Sequence, residues 1–470
     1  MKSLNIGAGF TDYYQLTMGQ AYFMSGNRNT RACFDYFFRK IPFQGGYVVF
    51  AGLQNLLDVL QDFSFTSKEI DYLGKEGLNE EYLSYLENFS FNGTIVSVWE
   101  GDIVFPTTPA VRVEGNIIEA QMLETLLLNY LNFHSLIATK ASRISRVAGD
   151  KKLTDFGLRR AQGLGAYHAS FAAIIGGFDS TSNVKTGVDF ELDISGTMAH
   201  SFVQNQDDEL TAFRKYADSH PDKCVLLVDT YDTLKSGVPN AIKVAKELKE
   251  KGHSLAAIRL DSGDLAYQAK EARKMLDNEG LKEVKIVASN QLDEHVIKSL
   301  LDQNAPIDFF GVGTKLVTAE PDGALDGVYK LSESNDKPRM KLSENLEKMT
   351  LPGKKDLYRL LDEKGNFYGG DLICRQNEDA SMMYHPLDKS KNMDIEKFRK
   401  ENLHHKVMDN GKITIKRKSV NEIADFSAHR LSKLSIEFKR FDNPHVYKVG
   451  ISPELMNLRD ELRQTFKSKL

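Results

Sequence analysis

Cysteine is scarce: Cys33, Cys224 and Cys374 are the only three in 470 residues. Their number is odd, they lie far apart, and none forms a Cys-x-x-Cys pair. Neither a disulfide framework nor a zinc site is supported, and a reducing cytosol is the simple expectation. Long apolar runs are also missing, with none approaching the roughly 20 residues a membrane helix needs. The N-terminus reaches Thr11-Asp12-Tyr13-Tyr14-Gln15 without the basic and then apolar segments of a secretory leader. No tract is of low complexity. Strong charge of one sign is absent as well. A net charge of −4 argues against bulk attraction to nucleic acid or an anionic membrane. What remains is the expectation of a soluble cytoplasmic protein in which an anionic small substrate is met by a local cluster of donors.

A chain this long exceeds one ordinary core, so two or three lobes are expected. We divide it at residues 1–145, 146–330 and 331–470. The first segment mixes a helical pattern near Tyr14–Phe23 with strand-like runs at Ala32–Arg39, Gly46–Phe50, Val96–Trp99, Ile103–Phe105 and Ala110–Val113. Ile117–Arg146 reads as one or two amphipathic helices. This is an N-terminal α/β lobe. The last segment holds a Lys/Asn/Asp-rich stretch, Asp388–Lys418, read as a solvated face. It ends in a helix with Ser452 as N-cap, Pro453 at its first position, and Leu455, Leu458, Leu462 and Phe466 on its buried stripe.

The middle segment repeats one unit: a short apolar run, a polar or glycine cluster, then an amphipathic helix. The runs are Lys152–Phe156, Ala172–Ile175, Ile194, Val225–Val228, Ala256–Leu260, Val284–Ala288 and Ile307–Phe310. Pro239 suits a first helical turn, and Gly252 closes the helix that follows it. Strand, loop and helix at intervals of about 20–35 residues predict parallel β/α units. Seven in succession suggest an irregular parallel β/α barrel, with the C-terminal lobe packed against the first. Active-site groups of such folds come from the C-terminal ends of the strands, where the polar clusters fall.

His200 stands at one such end, beside the hydroxyls of Thr197 and Ser201. Histidine is suited to base or nucleophile chemistry near neutral pH, although a satisfied polar histidine fits the position equally well. Asp261 follows a strand directly, and burying a lone carboxylate is expensive, so it is expected at the mouth, where ribose hydroxyls or a Mg²⁺ shell could take it. Asp229 could serve a metal shell or His200. Asp264 precedes a helix and reads as an N-cap. Arg159, Arg160 and Arg259 suit capture of carboxylate and phosphate, with salt bridges to Asp155, Asp229 or Asp261 as the structural alternative. Gly311-Val312-Gly313-Thr314 permits close backbone approach to a phosphate.

Several segments resemble, in order, the nicotinate phosphoribosyltransferase family. They are Thr11-Asp12-Tyr13-Tyr14-Gln15, Phe37-Phe38-Arg39-Lys40, Phe156-Gly157-Leu158-Arg159-Arg160-Ala161-Gln162-Gly163, Gly196-Thr197-Met198-Ala199-His200-Ser201, Arg259-Leu260-Asp261-Ser262-Gly263-Asp264 and Gly313-Thr314, and the match runs past Pro338-Arg339-Met340-Lys341-Leu342. The resemblance implies an ATP-coupled enzyme, formally a ligase, that joins nicotinate to phosphoribosyl pyrophosphate with Mg²⁺ and serves NAD salvage. It implies a homodimer in which Tyr14 reaches across to stack on the pyridine opposite Phe156. It further implies a phosphorylated His200, nicotinate contacts from Thr197 and Arg259, and Asp261 on the ribose. Gly311, Gly313 and Thr314 would form the 5′-phosphate loop, with Arg159 as a further phosphate contact.

The competing reading is a nicotinamide-using relative, whose amide would call for a carboxylate acceptor. The alignment puts Ser182 at that position, which favours the anionic base, whereas a one-gap slip would bring in Asp179; the resemblance at Thr197-Met198-Ala199-His200 favours nicotinate more clearly. More distant alternatives are a metal-dependent barrel lyase or aldolase and a non-catalytic nucleotide-binding protein.

Overall fold

The computed structural model describes residues 6–342 and 350–468. The chain packs as two compact units. One comprises Met1–Leu136, Ala324–Lys418 and Asp425–Leu470; the other comprises Ile137–Gly323 and Ser419–Ala424.

The first unit is built on two large sheets and a two-stranded one, Val48–Val49 with Ile103–Val104. Arg31–Phe38, a run of aromatic and small residues, pairs antiparallel with Gly327–Ser334 on one side and Val111–Asn116 on the other. These lie within a seven-stranded sheet that Lys337–Pro338, Thr94–Ser97, His405–Asp409 and Lys412–Ile413 complete. The second sheet has six strands and includes Lys355–Leu361 beside Phe367–Arg375, in a register that sets Arg359 opposite Asp371. Both side chains are wholly buried. Arg359 bonds the Asp371 carboxylate twice, at 3.0 and 2.8 Å, and also bonds Asp102 and the Ile103 carbonyl. Arg430 reaches the same Asp102 at 2.8 Å. The Asp388–Lys418 stretch is not structureless: it forms strands such as Asp388–Asp394, whose side chains are largely exposed. The closing helix Pro453–Lys467 begins as expected, with Ser452 accepting from the Leu455 N–H; Leu455 is buried, while Leu458, Leu462 and Phe466 are half-buried.

The second unit carries one all-parallel sheet of six strands. Across the sheet they run Ser180–Thr181, Lys152–Asp155, Phe309–Val312, Lys285–Ser289, Ala257–Leu260 and Val225–Leu227. A parallel bridge from Thr181 to Ile194 extends it. No ladder among the described residues joins its two edges. The strands are short because each needs only enough β-branched and aliphatic residues to cross a core covered on both faces. The helices answer their sequence signals: Val238–Glu250 carries Pro239 in its first turn, and Asp264 caps Leu265–Asn278 through the Tyr267 N–H.

Two strand expectations are corrected. Ala172–Ile175 is the last turn of the helix Gly163–Ile175, and Ile194 contributes only a bridge. Ala166, Ala169, Ala172 and Ala173 explain the first: small side chains bury this helix on most of its circumference, so its apolar end mimics a buried strand. The strand of that unit is the two-residue Ser180–Thr181, too short to leave an apolar run. All three cysteines are free and buried. No helix among the described residues is long and apolar enough to cross a membrane.

Candidate active site

Parallel strands bring their C-terminal ends to one edge of the sheet, and there the polar residues meet. Arg259, on Ala257–Leu260, directs its guanidinium along that edge. Nε donates to Ser289 Oγ at 2.9 Å, Nη1 to Thr197 Oγ1 at 2.8 Å and Nη2 to Asp261 Oδ1 at 2.9 Å. Three of its five N–H groups are thus engaged, leaving two for an incoming anion. Its guanidinium carbon lies 5.5 Å from the centre of the Phe156 ring.

Ser289 also donates to the Asp261 carboxylate in a short hydrogen bond. Burial pulls the Asp261 pKa upward, but the hydrogen bonds from Ser289 and Arg259, with the Arg259 charge, outweigh it and hold the carboxyl below its ordinary value. Asp229 is almost wholly buried. Its Oδ2 accepts from the Asp261 N–H at 3.1 Å and from Ser262 Oγ at 2.6 Å, while Oδ1 has no hydrogen-bond partner among the described residues. His200, the first residue of the helix His200–Gln204, faces both acids: Nε2 is 3.9 Å from Asp229 Oδ1 and 3.9 Å from Asp261 Oδ2. Its Nδ1 lies 3.2 Å from Thr230 Oγ1. The neighbouring hydroxyl is therefore that of Thr230, thirty positions downstream in sequence, whereas Thr197 serves Arg259.

Phe156 is held from below. Asp155 is fully buried and accepts from the Gly157 N–H, Ser170 Oγ and Thr181 Oγ1 at 2.7–2.8 Å. Burial keeps its pKa above the ordinary value despite these bonds. Neutral donors, not an arginine, satisfy it. Arg159 and Arg160 are exposed on the following turn and form no ion pair among the described residues. On the next strand over, Gly311 is required: a Cβ there would overlap the Phe156 ring. Gly313 leads into the four-residue helix Thr314–Val317.

The segment Asp179–Ser182 sets its acid and Ser182 apart. Ser182 N–H bonds the Asp155 carbonyl, at the Phe156 end of the strand. Asp179 sits at the other end, where it pairs with Lys152 Nζ at 2.6 Å and accepts the Leu153 N–H. It points away from the edge that carries Arg259.

His200, Asp229, Asp261, Arg259, Thr197, Phe156 and Gly311 are thus assembled, with Ser182 and Gly313 on adjacent loops and Thr314 opening the short helix after Gly313. Arg159 makes no contact with the cluster. Tyr14 belongs to the other compact unit, half-exposed on the helix Tyr13–Met24. Sequence reasoning missed Ser289, Thr230 and the anchoring role of Asp155. Ser289 and Thr230 had a signal, since each belongs to a polar cluster that ends an apolar run; Asp155 had none beyond adjacency to marked residues.

Comparison with known proteins places this arrangement in a family. Residues 151–364 match the family model of nicotinate phosphoribosyltransferase, residues 10–132 that of its N-terminal domain and residues 354–459 that of its C-terminal domain. Nicotinate phosphoribosyltransferase of Bacillus subtilis is 42% identical over 98% of this chain and 96% of its own length. The Dictyostelium discoideum protein of the same name is 38% identical over 95% and 86%. The crystal structure of human nicotinic acid phosphoribosyltransferase superposes with a TM-score of 0.86 at 30% identity, covering 96% of this chain and 99% of that one. The chain belongs to the nicotinate phosphoribosyltransferase family.

Proposed function

We propose that this chain is an enzyme that couples nicotinate to phosphoribosyl pyrophosphate, releasing pyrophosphate and nicotinate mononucleotide, with ATP hydrolysed alongside. The observation that carries the reading is Arg259: a cation with two unspent N–H groups beside the face of Phe156. A flat aromatic base stacked on Phe156 would present its carboxylate to that fork. The pyridine nitrogen then attacks C1 of the ribose, the C1–O bond breaks, and pyrophosphate departs with the electron pair. Positive charge develops at C1, and the Asp229 and Asp261 carboxylates supply a preorganised negative field for it. Asp261 would also hold ribose hydroxyls. Gly311, Gly313 and Thr314, with Arg159, would take the 5′-phosphate.

His200 would accept the γ-phosphoryl group of ATP, releasing ADP, and return it to water as phosphate. The turning of Asp179 to the far end of the strand, onto Lys152, supports nicotinate over nicotinamide, since a carboxylate at the base site would repel the anionic base. Magnesium would arrive with the pyrophosphate or ATP, neutralising their charge. The orphaned Asp229 Oδ1 and the facing Asp261 Oδ2 suit an ion that keeps water and phosphate oxygens as its other ligands. Homodimerisation, with Tyr14 reaching across to the partner's pyridine site, is supported by exposed Tyr13, Tyr14, Met18 and Met24 on one helix. A division near residue 145 is supported by the gap between the first two family matches, and a cytoplasmic location by the free cysteines.

The test is turnover. The purified chain with phosphoribosyl pyrophosphate, Mg²⁺ and nicotinate should release pyrophosphate, faster when ATP is present. No release with nicotinate would sink the reading. His200→Ala should lose most of the ATP stimulation while retaining basal turnover; an unaltered ATP response would remove His200 from its assigned role.

A further inference from the structure

Ser289 lies outside the motifs that carry the family resemblance, yet its hydroxyl stands between the two charged groups on which the proposed base and ribose contacts depend. It ends the strand Lys285–Ser289 and is 2% exposed. Its oxygen accepts from Arg259 Nε at 2.9 Å and donates to Asp261 Oδ1, while Arg259 Nη2 reaches the same Oδ1. The two residues after it, Asn290 and Gln291, both take left-handed backbone conformations, at φ 88° and 51°. Such conformations are costly for residues other than glycine and persist where the surroundings impose them.

We propose that Ser289 is a positioning residue that keeps Arg259 from closing on Asp261. An arginine and a carboxylate in contact favour a two-pronged pair through Nε and one Nη. Ser289 occupies Nε, so Arg259 grips Asp261 by one nitrogen only. Asp261 Oδ2 is left toward His200, and the outer N–H groups of Arg259 are left toward Phe156 and the substrate carboxylate. Without the hydroxyl, Nε turns to the second carboxylate oxygen and the guanidinium rotates out of the base site. This inference rests on the nicotinate reading and deepens it.

The experiment measures nicotinate binding by calorimetry and the KM for nicotinate, in wild type and in Ser289→Ala. A hydrogen bond to a charged group at stake corresponds to a loss of roughly tenfold to a hundredfold. A merely structural serine would lower the melting temperature or the active fraction and leave the affinity of the folded protein unchanged. Ser289→Thr, which keeps the hydroxyl, should restore most of the affinity. In an Asp261→Asn background the attraction that misplaces Arg259 is weakened, so Ser289→Ala should there cost less than about threefold. Should Ser289→Ala fail to fold, Ser289→Cys, similar in size and a weak hydrogen-bonder, takes its place in each comparison. Wild-type affinity in the folded variant, or an equal loss in both backgrounds, would overturn the proposal. Failure of the wild-type protein to bind or turn over nicotinate would instead sink the functional reading on which it rests.

Discussion

Arg359 and Arg259 are both arginines held by aspartates, but one is sealed in the interior and the other is open to an incoming group. Arg359 is 0% exposed and commits its donors to Asp371, Asp102 and a backbone carbonyl, with Arg430 closing the ring of charge around Asp102. The cluster around Arg259 is open. His200 is 41% exposed, Asp229 Oδ1 has no hydrogen-bond partner among the described residues, and Arg259 keeps two N–H groups free. Residue types do not separate a structural ion cluster from a candidate catalytic one. Access to solvent and substrate does: the interior cluster keeps even its Arg430 Nη2, unpaired among the described residues, sealed, while the His200 side chain stays open.

The sharpest way to break this contrast is to delete one partner on each side. Asp371→Ala should cost about 3–5 kcal/mol of unfolding stability, because it strands a buried guanidinium. Arg259→Ala should cost far less stability, yet lower kcat/KM for nicotinate roughly a hundredfold. Denaturant unfolding and steady-state kinetics on both variants check it. Similar stability losses in the two would erase the distinction.

A smaller and opposite effect is expected at Asp155. Burial raises its folded-state pKa above the unfolded value, so its contribution to stability is full at low pH and is lost as pH rises through the folded pKa. Ionisation sets that cost of burial against the hydrogen bonds that hold the Gly157 N–H under Phe156. Asp155→Asn should therefore keep or raise stability near neutral pH and remove that fall with pH, while weakening nicotinate binding. Unfolding at pH 5 and pH 8 would show it; a loss of stability at both would mean that the charge is favourable.

The smallest effect lies at the opposite end of the same sheet. Lys152–Asp179 is an exposed pair far from the Phe156 edge, so Lys152→Ala should change stability by less than about 1 kcal/mol and leave turnover intact. A changed KM for nicotinate in that variant would show that the two ends are coupled.

How much of this was legible depended on where the signal lay. Strands flanked by turn residues announced themselves, so Arg259, Asp261, Asp229 and Gly311 could be assigned to strand ends from local pattern. The helix at Gly163–Ile175 could not be told from a strand at its apolar end, since a helix buried on most faces has no polar stripe to set its period. The His200–Thr230 and Arg259–Ser289 bonds each span about thirty residues, and no local pattern encodes which strand end faces which. Asp155 read as a partner for arginine, but its donors proved neutral, a choice made by burial. Ser182 and Asp179 are three residues apart in sequence and at opposite ends of a strand in space, which is why the structure sharpens the choice of base more than the alignment does.

That choice is also the most direct test. With phosphoribosyl pyrophosphate, Mg²⁺ and ATP fixed, kcat/KM should be compared for nicotinate and nicotinamide on the wild-type protein. An arginine with two N–H groups left for a substrate carboxylate should favour nicotinate by at least about a hundredfold. Equal values, or a preference for nicotinamide, would contradict the account.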